Sequence, residues 1–95
     1  MERIRMYMDQ VRDEMESACD YAEKYVIFKQ SNPSWAKMYM DMAQDEMRHA
    51  NNLYNIGQEF MSGLSWVSDD DKMEYGRLGA KMADRLALAK MMLTA

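Results

Sequence analysis

Gln30-Ser31-Asn32-Pro33-Ser34 is the stretch that decides the fold. No Gly or Pro precedes it, and upstream Ile4, Tyr7, Val11, Ala18, Tyr21, Tyr25 and Phe28 step by three and four. That spacing predicts a helix over about residues 2–30, its apolar face widened by Met8, Met15, Cys19, Ala22 and Val26. Within the stretch, Asn32 or Ser31 is suited to cap the next helix, with Pro33 at its first position, where a missing N–H costs nothing. Downstream, Trp35, Met38, Tyr39, Met42, Leu53, Ile56 and Phe60 continue a stripe through a helix over about residues 33–61. Gly57 is a mild interior penalty there, and Ser62-Gly63 suggests a glycine C-cap. So short a turn makes the two helices an antiparallel hairpin.

The linker Gly63-Leu64-Ser65-Trp66-Val67 carries large apolar side chains expected to fold back on the hairpin. Ser68 followed by Asp69, Asp70 and Asp71 is a helix start: an N-cap, an acid three residues on, and negative charge at the positive end of the helix dipole. A third helix over about residues 69–93 follows, with Gly76, Gly79, Ala80, Ala83, Ala87 and Ala89 as small residues that permit close approach. Its interior acids, Glu74 and Asp84, belong on a solvated face. Few breakers and 48% hydrophobic residues give an all-α chain, expected to form one domain over residues 1–95.

A net charge of −4 without a basic block argues against nucleic acid or an anionic membrane as partners. A single cysteine, Cys19, allows neither an intrachain disulfide nor a cysteine-cluster metal site. Together with the lack of an apolar leader or bilayer-spanning stretch, this gives an expectation of a soluble cytoplasmic protein. Thirteen methionines are read as flexible gap-fillers of a helix-packed core.

The chemistry concentrates in Asp45-Glu46-Met47-Arg48-His49-Ala50. Glu46 and the only histidine, His49, lie three apart, on one side of a helix and able to grip one metal ion. Both fall on the stripe of the second helix, and Glu14 falls on that of the first, between Val11 and Ala18. Measured from a turn centred near residue 31 or 32, Glu14 and His49 stand at matching heights, so the three groups are expected to meet in a buried seam. An unpaired carboxylate there is costly and must be compensated by a metal, by a hydrogen-bonded network with tyrosines, or by a basic side chain. Arg12, Lys24, Lys37 and Arg48 fall away from the stripe, which leaves a metal as the sharper reading beside a metal-free polar network. Mixed carboxylate and imidazole donors suit iron, manganese or zinc.

Glu14 to Tyr21 and Ala43 to Ala50 resemble the metal-bearing helices of the ferritin-like superfamily, in particular encapsulated ferritins and rubrerythrins. The resemblance covers the first two helices. It implies Glu14, Glu46 and His49 as the catalytic metal ligands, Glu46 as a bridging carboxylate, and Tyr21 as a hydrogen-bond partner of a ligand. The full pattern needs two Glu helices and two Glu-x-x-His helices, and this chain has one of each. A two-fold dimer supplies the other half, so the implied architecture is a four-helix bundle completed by dimerisation, with two irons per dimer and manganese or zinc as alternatives. The implied function is oxidation of ferrous iron by dioxygen, of ferroxidase type, in iron storage or detoxification, in the cytoplasm or inside a larger protein shell. There is no Cys-x-x-Cys pair for a rubredoxin-type electron donor and no fourth helix for an ordinary ferritin cage. The rival expectation is a non-catalytic helical interaction module that uses no metal.

Overall fold

The computed structural model describes residues 2–95 as three helices, α1 (Glu2–Phe28), α2 (Pro33–Ser62) and α3 (Asp69–Thr94), with no strand among them. The all-α expectation holds, and the ends lie within two residues of those read from the sequence. Asn32 caps α2 by accepting a hydrogen bond from the Trp35 N–H at 3.2 Å, and Pro33 follows at the first helical position. Ser68 caps α3 by accepting from the Asp71 N–H at 3.1 Å. Gly63 follows α2 at φ −82, so its left-handed freedom is not used. Among the described residues no helix is long and apolar enough to cross a membrane.

α1 is the shared wall of the core. Its buried residues Ile4, Met8, Val11, Met15, Ala18 and Ala22 alternate in steps of four and three, the seam of a left-handed helix pair. α2 meets it with Ala36, Ala43, Ala50 and Gly57, a strict seven-residue repeat of the smallest side chains. From the far side α3 contributes Tyr75, Leu78, Met82, Leu86, Ala89 and Leu93.

Several expectations change here. The bulky stripe of α2 is not the centre of the core: Leu53 and Phe60 pack on its edge, but Trp35 is 53% exposed, Met38 49% and Ile56 47%, because the alanine row beside the stripe lets α1 approach more closely. The small residues of α3 are mostly not a packing line either, as Gly76, Ala80, Ala83 and Ala87 face solvent. Leu64 and Val67 pack on the core, but Trp66 points outward at 75% exposure. Among the described residues the buried methionines are Met8, Met15 and Met82, while Met6, Met38, Met73 and Met91 are exposed. The gap-filling role of methionine therefore applies to part of the set.

α2 and α3 touch little except at a reciprocal clasp. Tyr54 donates its hydroxyl to the Tyr75 carbonyl at 3.4 Å, and Tyr75 donates back to the Tyr54 carbonyl. The two rings stack at 4.7 Å between centroids. Two glycines make the room: a Cβ at Gly57 would overlap the Tyr75 hydroxyl and press on Tyr7 Cβ at 3.1 Å, and one at Gly79 would overlap the Tyr54 ring and hydroxyl. Burial, reinforced by the neighbouring phenols Tyr54 and Tyr7, pushes the Tyr75 hydroxyl up to about 12.

Two outcomes follow. Gly79→Ala lowers stability by roughly 1–3 kcal/mol through overpacking. Gly76→Ala, with nothing within 4 Å of its new methyl, gains up to about 1 kcal/mol in helix propensity. Thermal denaturation of the pair should therefore move in opposite directions, by about 4–8 °C per kcal/mol. A raised phenol keeps its folded form protonated while the unfolded chain ionises, so this contribution is intact below pH 10 and is lost as pH rises toward about 12. Melting curves of the wild type should show that decline, and Tyr75→Phe should flatten it.

Candidate metal centre

Positions 14, 21 and 28 of α1 lie beside its core seam on the edge toward α2, and Tyr7, at the same spacing, packs on Phe60 and also neighbours the Tyr75 hydroxyl of α3. Positions 39, 42, 46, 49, 53, 56 and 60 of α2 form the facing row, on the opposite flank from Tyr54 and its α3 contact. These two rows make an open face of the hairpin, and Glu14, Glu46 and His49 sit at its middle. Buried neighbours aim the three groups: Glu14 adjoins Met15, Glu46 stands three after Ala43, and His49 adjoins Ala50.

The expected convergence is present. His49 Nδ1 lies 3.8 Å from Glu14 Oε2 and 3.6 Å from Glu46 Oε1, and one ligand atom from each residue falls within 4.8 Å of the others. The expected burial is only partial. Side-chain exposure is 28% for Glu14, 23% for Glu46 and 46% for His49, and no charged or polar residue is fully buried among the described residues. The reason is the rotation of α2 that puts its alanines, rather than its bulky stripe, against α1.

One atom stands out energetically. Glu14 Oε2 is shut off from solvent and has no hydrogen-bond partner. Leaving such an atom unmatched costs about 1–3 kcal/mol, more when it is charged. Among the described residues no lysine or arginine pairs with it: Arg12 pairs with Asp9 and Glu74, Lys37 with Asp41, and Arg48 with Asp45. No tyrosine serves it either, since Tyr21 makes no hydrogen bond to these three groups among the described residues and stacks instead on Tyr39 at 6.1 Å. The 3.6 and 3.8 Å separations are too long for hydrogen bonds and suit donors facing a common ion, because bonds of ~2.0–2.2 Å place paired donors up to about 4 Å apart.

Comparison with protein-family models, with curated proteins and with solved structures gives no match. The chemistry of the site therefore rests on its own geometry.

Lys24, expected to fall away from the stripe, instead lies against the same face, and Tyr39, expected only as an apolar stripe position, stands beside it. The Lys24 ammonium lies 5.8 Å from the Tyr21 ring centre and 5.6 Å from that of Tyr39. The available signal was spacing: Lys24 follows Tyr21 by three, and Tyr39 precedes Glu46 by the same seven residues that separate Tyr21 from Glu14. Glu16, Asp20, Glu23, Asp41 and Asp45 are exposed, in keeping with solvated faces. Cys19 is buried, donates its thiol to the Arg85 carbonyl at 3.3 Å, and has its pKa raised by burial, which marks it as a core residue.

If the Glu14 oxygen is uncompensated in metal-free protein, replacing the carboxylate by an apolar chain of similar length should help. Glu14→Met is expected to raise the melting temperature of metal-free protein, by about 1 kcal/mol of stability after allowance for partial exposure. A fall measured by calorimetry would show that Glu14 is already satisfied.

Proposed function

We propose that the chain is a metal-binding protein of ferritin-like type, which pairs with a second copy through the open face of its hairpin and takes up two ferrous ions per dimer for oxidation by dioxygen. The observation that carries this reading is the solvent-shielded, unpartnered Glu14 Oε2 facing Glu46 and His49 across an ion-sized gap. Three donors leave a first-row metal short of a full coordination shell, and a two-fold axis through this face would supply a second Glu14, Glu46 and His49. Support for that pairing comes from the exposed Trp35 and Ile56, which lie at seven-residue steps from Met42 and His49 on this face.

In this reading Glu14, Glu46 and His49 hold the ions, and the iron supplies one-electron redox chemistry toward dioxygen. The protein's share is placement. Two helices braced by an alanine seam fix the donors, and the second copy would exclude bulk water from around them. The same donors accept manganese or zinc. A cytoplasmic location, within a larger shell or free, is part of the proposal. The half-exposed His49 favours a second reading, a helical interaction module whose face carries an incidental polar cluster.

The test is anaerobic thermal denaturation with and without ferrous iron. A ligand that binds only the folded state stabilises by about 2.7 kcal/mol at a hundredfold excess over its Kd. The wild type should show such an increase, reversed by a chelator. His49→Ala should lose it, and Ile56→Asp, placed to break the pairing face, should lose both the increase and the dimer seen by sedimentation. Equal melting curves with and without iron support the interaction module instead.

A further inference from the structure

The open face carries a second ordered feature, running from beside the centre to the turn. Tyr21 stacks on Tyr39 with ring centres 6.1 Å apart and 25° between planes. Tyr39 stacks on Phe28 at 5.9 Å and 15°, and Phe28 meets the edge of Trp35 at 5.3 Å. Trp35 is 53% exposed, so the series ends in solvent. Its inner end stands about 10 Å along the antiparallel pair from the centre, in the same register on both helices: Tyr21 is seven residues after Glu14 and Tyr39 seven before Glu46.

We propose that Tyr21, Tyr39 and Trp35 form a conduit for single electrons along the hairpin, with Phe28 as the spacer that holds the rings in register. Indole and phenol give up one electron more readily than any other aromatic side chain in this region, and the contact between Tyr21 and Tyr39, with Phe28 bridging Tyr39 and Trp35, makes each exchange short. A one-electron oxidant formed from dioxygen beside Glu14, Glu46 and His49 would be reduced by one electron from Tyr21, whose phenolic proton passes to water, leaving a neutral phenoxyl. Tyr39 then gives an electron to Tyr21, which regains a proton from water as Tyr39 releases its own to water, and Trp35 in turn reduces Tyr39 past Phe28, Tyr39 regaining a proton from water and the indole losing one to it. A soluble reductant of the ascorbate class returns one electron and one proton to the Trp35 indolyl radical. Lys24 shapes these steps: a positive charge against both phenol rings disfavours a radical cation, so the electron leaves together with the proton. The conduit stands on ring geometry, and its connection to dioxygen rests on the metal-binding reading above.

The steps also run inward from Trp35, which allows a test on metal-free protein. In a Trp66→Phe background, pulse radiolysis with azide delivers azidyl radicals that oxidise the remaining indole. The absorbance of the indolyl radical should decay as that of a phenoxyl rises, at a rate independent of protein concentration. Tyr39→Phe should abolish most of this transfer and Tyr7→Phe, at the far end of α1, should leave it unchanged, with circular dichroism confirming equal helix content. Transfer that survives Tyr39→Phe, or that speeds up with protein concentration, overturns the conduit. In Tyr21→Phe the radical should remain on Tyr39 with an altered hyperfine pattern in its electron paramagnetic resonance spectrum, and an unchanged pattern removes the step to Tyr21. Iron uptake is read separately, so loss of transfer with normal uptake counts against the conduit alone, whereas transfer without uptake counts against the centre as its source.

Discussion

The close approach of α1 and α2 across Ala36, Ala43, Ala50 and Gly57 is the constraint from which the remainder follows. Four small side chains repeating every seven residues hold α2 in one rotational setting against α1. In that setting Glu46 and His49 turn to the flank where Glu14 emerges, and Tyr54 turns to the opposite flank where it meets Tyr75. A bulky residue at Ala43 or Ala50 would separate the helices at the height of the three ligands. Packing and site geometry are thus one problem in this chain: the row that makes the hairpin tight is the row that aims the donors.

α1 takes part in both halves of the arrangement. Its core seam is shared between α2 and α3, and its flank supplies Tyr7, Glu14, Tyr21 and Phe28 to the open face. Along that face the polar centre interrupts an otherwise aromatic and aliphatic strip, with Tyr7 against Phe60 at one end and Phe28 against Trp35 at the other. α3 closes only the opposite side. Its attachment to α2 depends on the tyrosine clasp and two glycines, and ion pairs of Arg5 and Arg12 with Glu74 tie it to α1 at the surface, where such pairs are worth little.

The parts of this architecture governed by short-range chemistry were legible in the sequence. Asn32-Pro33 and Ser68 announced the two helix starts, the brevity of the first turn fixed the hairpin, and counting residues from it brought Glu14 and His49 to one height. Which row of α2 is buried was not legible. Trp35, Met38 and Ile56 each carry far more apolar surface than alanine, so periodicity located the core on the bulky stripe, whereas packing density favoured the alanines one position round. That single offset explains why Glu14, Glu46 and His49 meet as expected yet lie on a flank. The glycines of α3 were misjudged for a related reason, since smallness marks a possible close contact and only Gly79 receives one. The Tyr54 and Tyr75 clasp depends on a pairing between distant segments that local spacing does not encode.

The central claim is that Glu14, Glu46 and His49 form half of a metal centre that a second copy completes. Native mass spectrometry of metal-free protein titrated anaerobically with ferrous iron, followed by ferric absorbance on admitting air, tests it most directly. The account predicts a dimer that saturates at two irons and oxidises them rapidly. An intact dimer or larger assembly that retains no iron would contradict it, and would leave the open face as a surface for assembly alone.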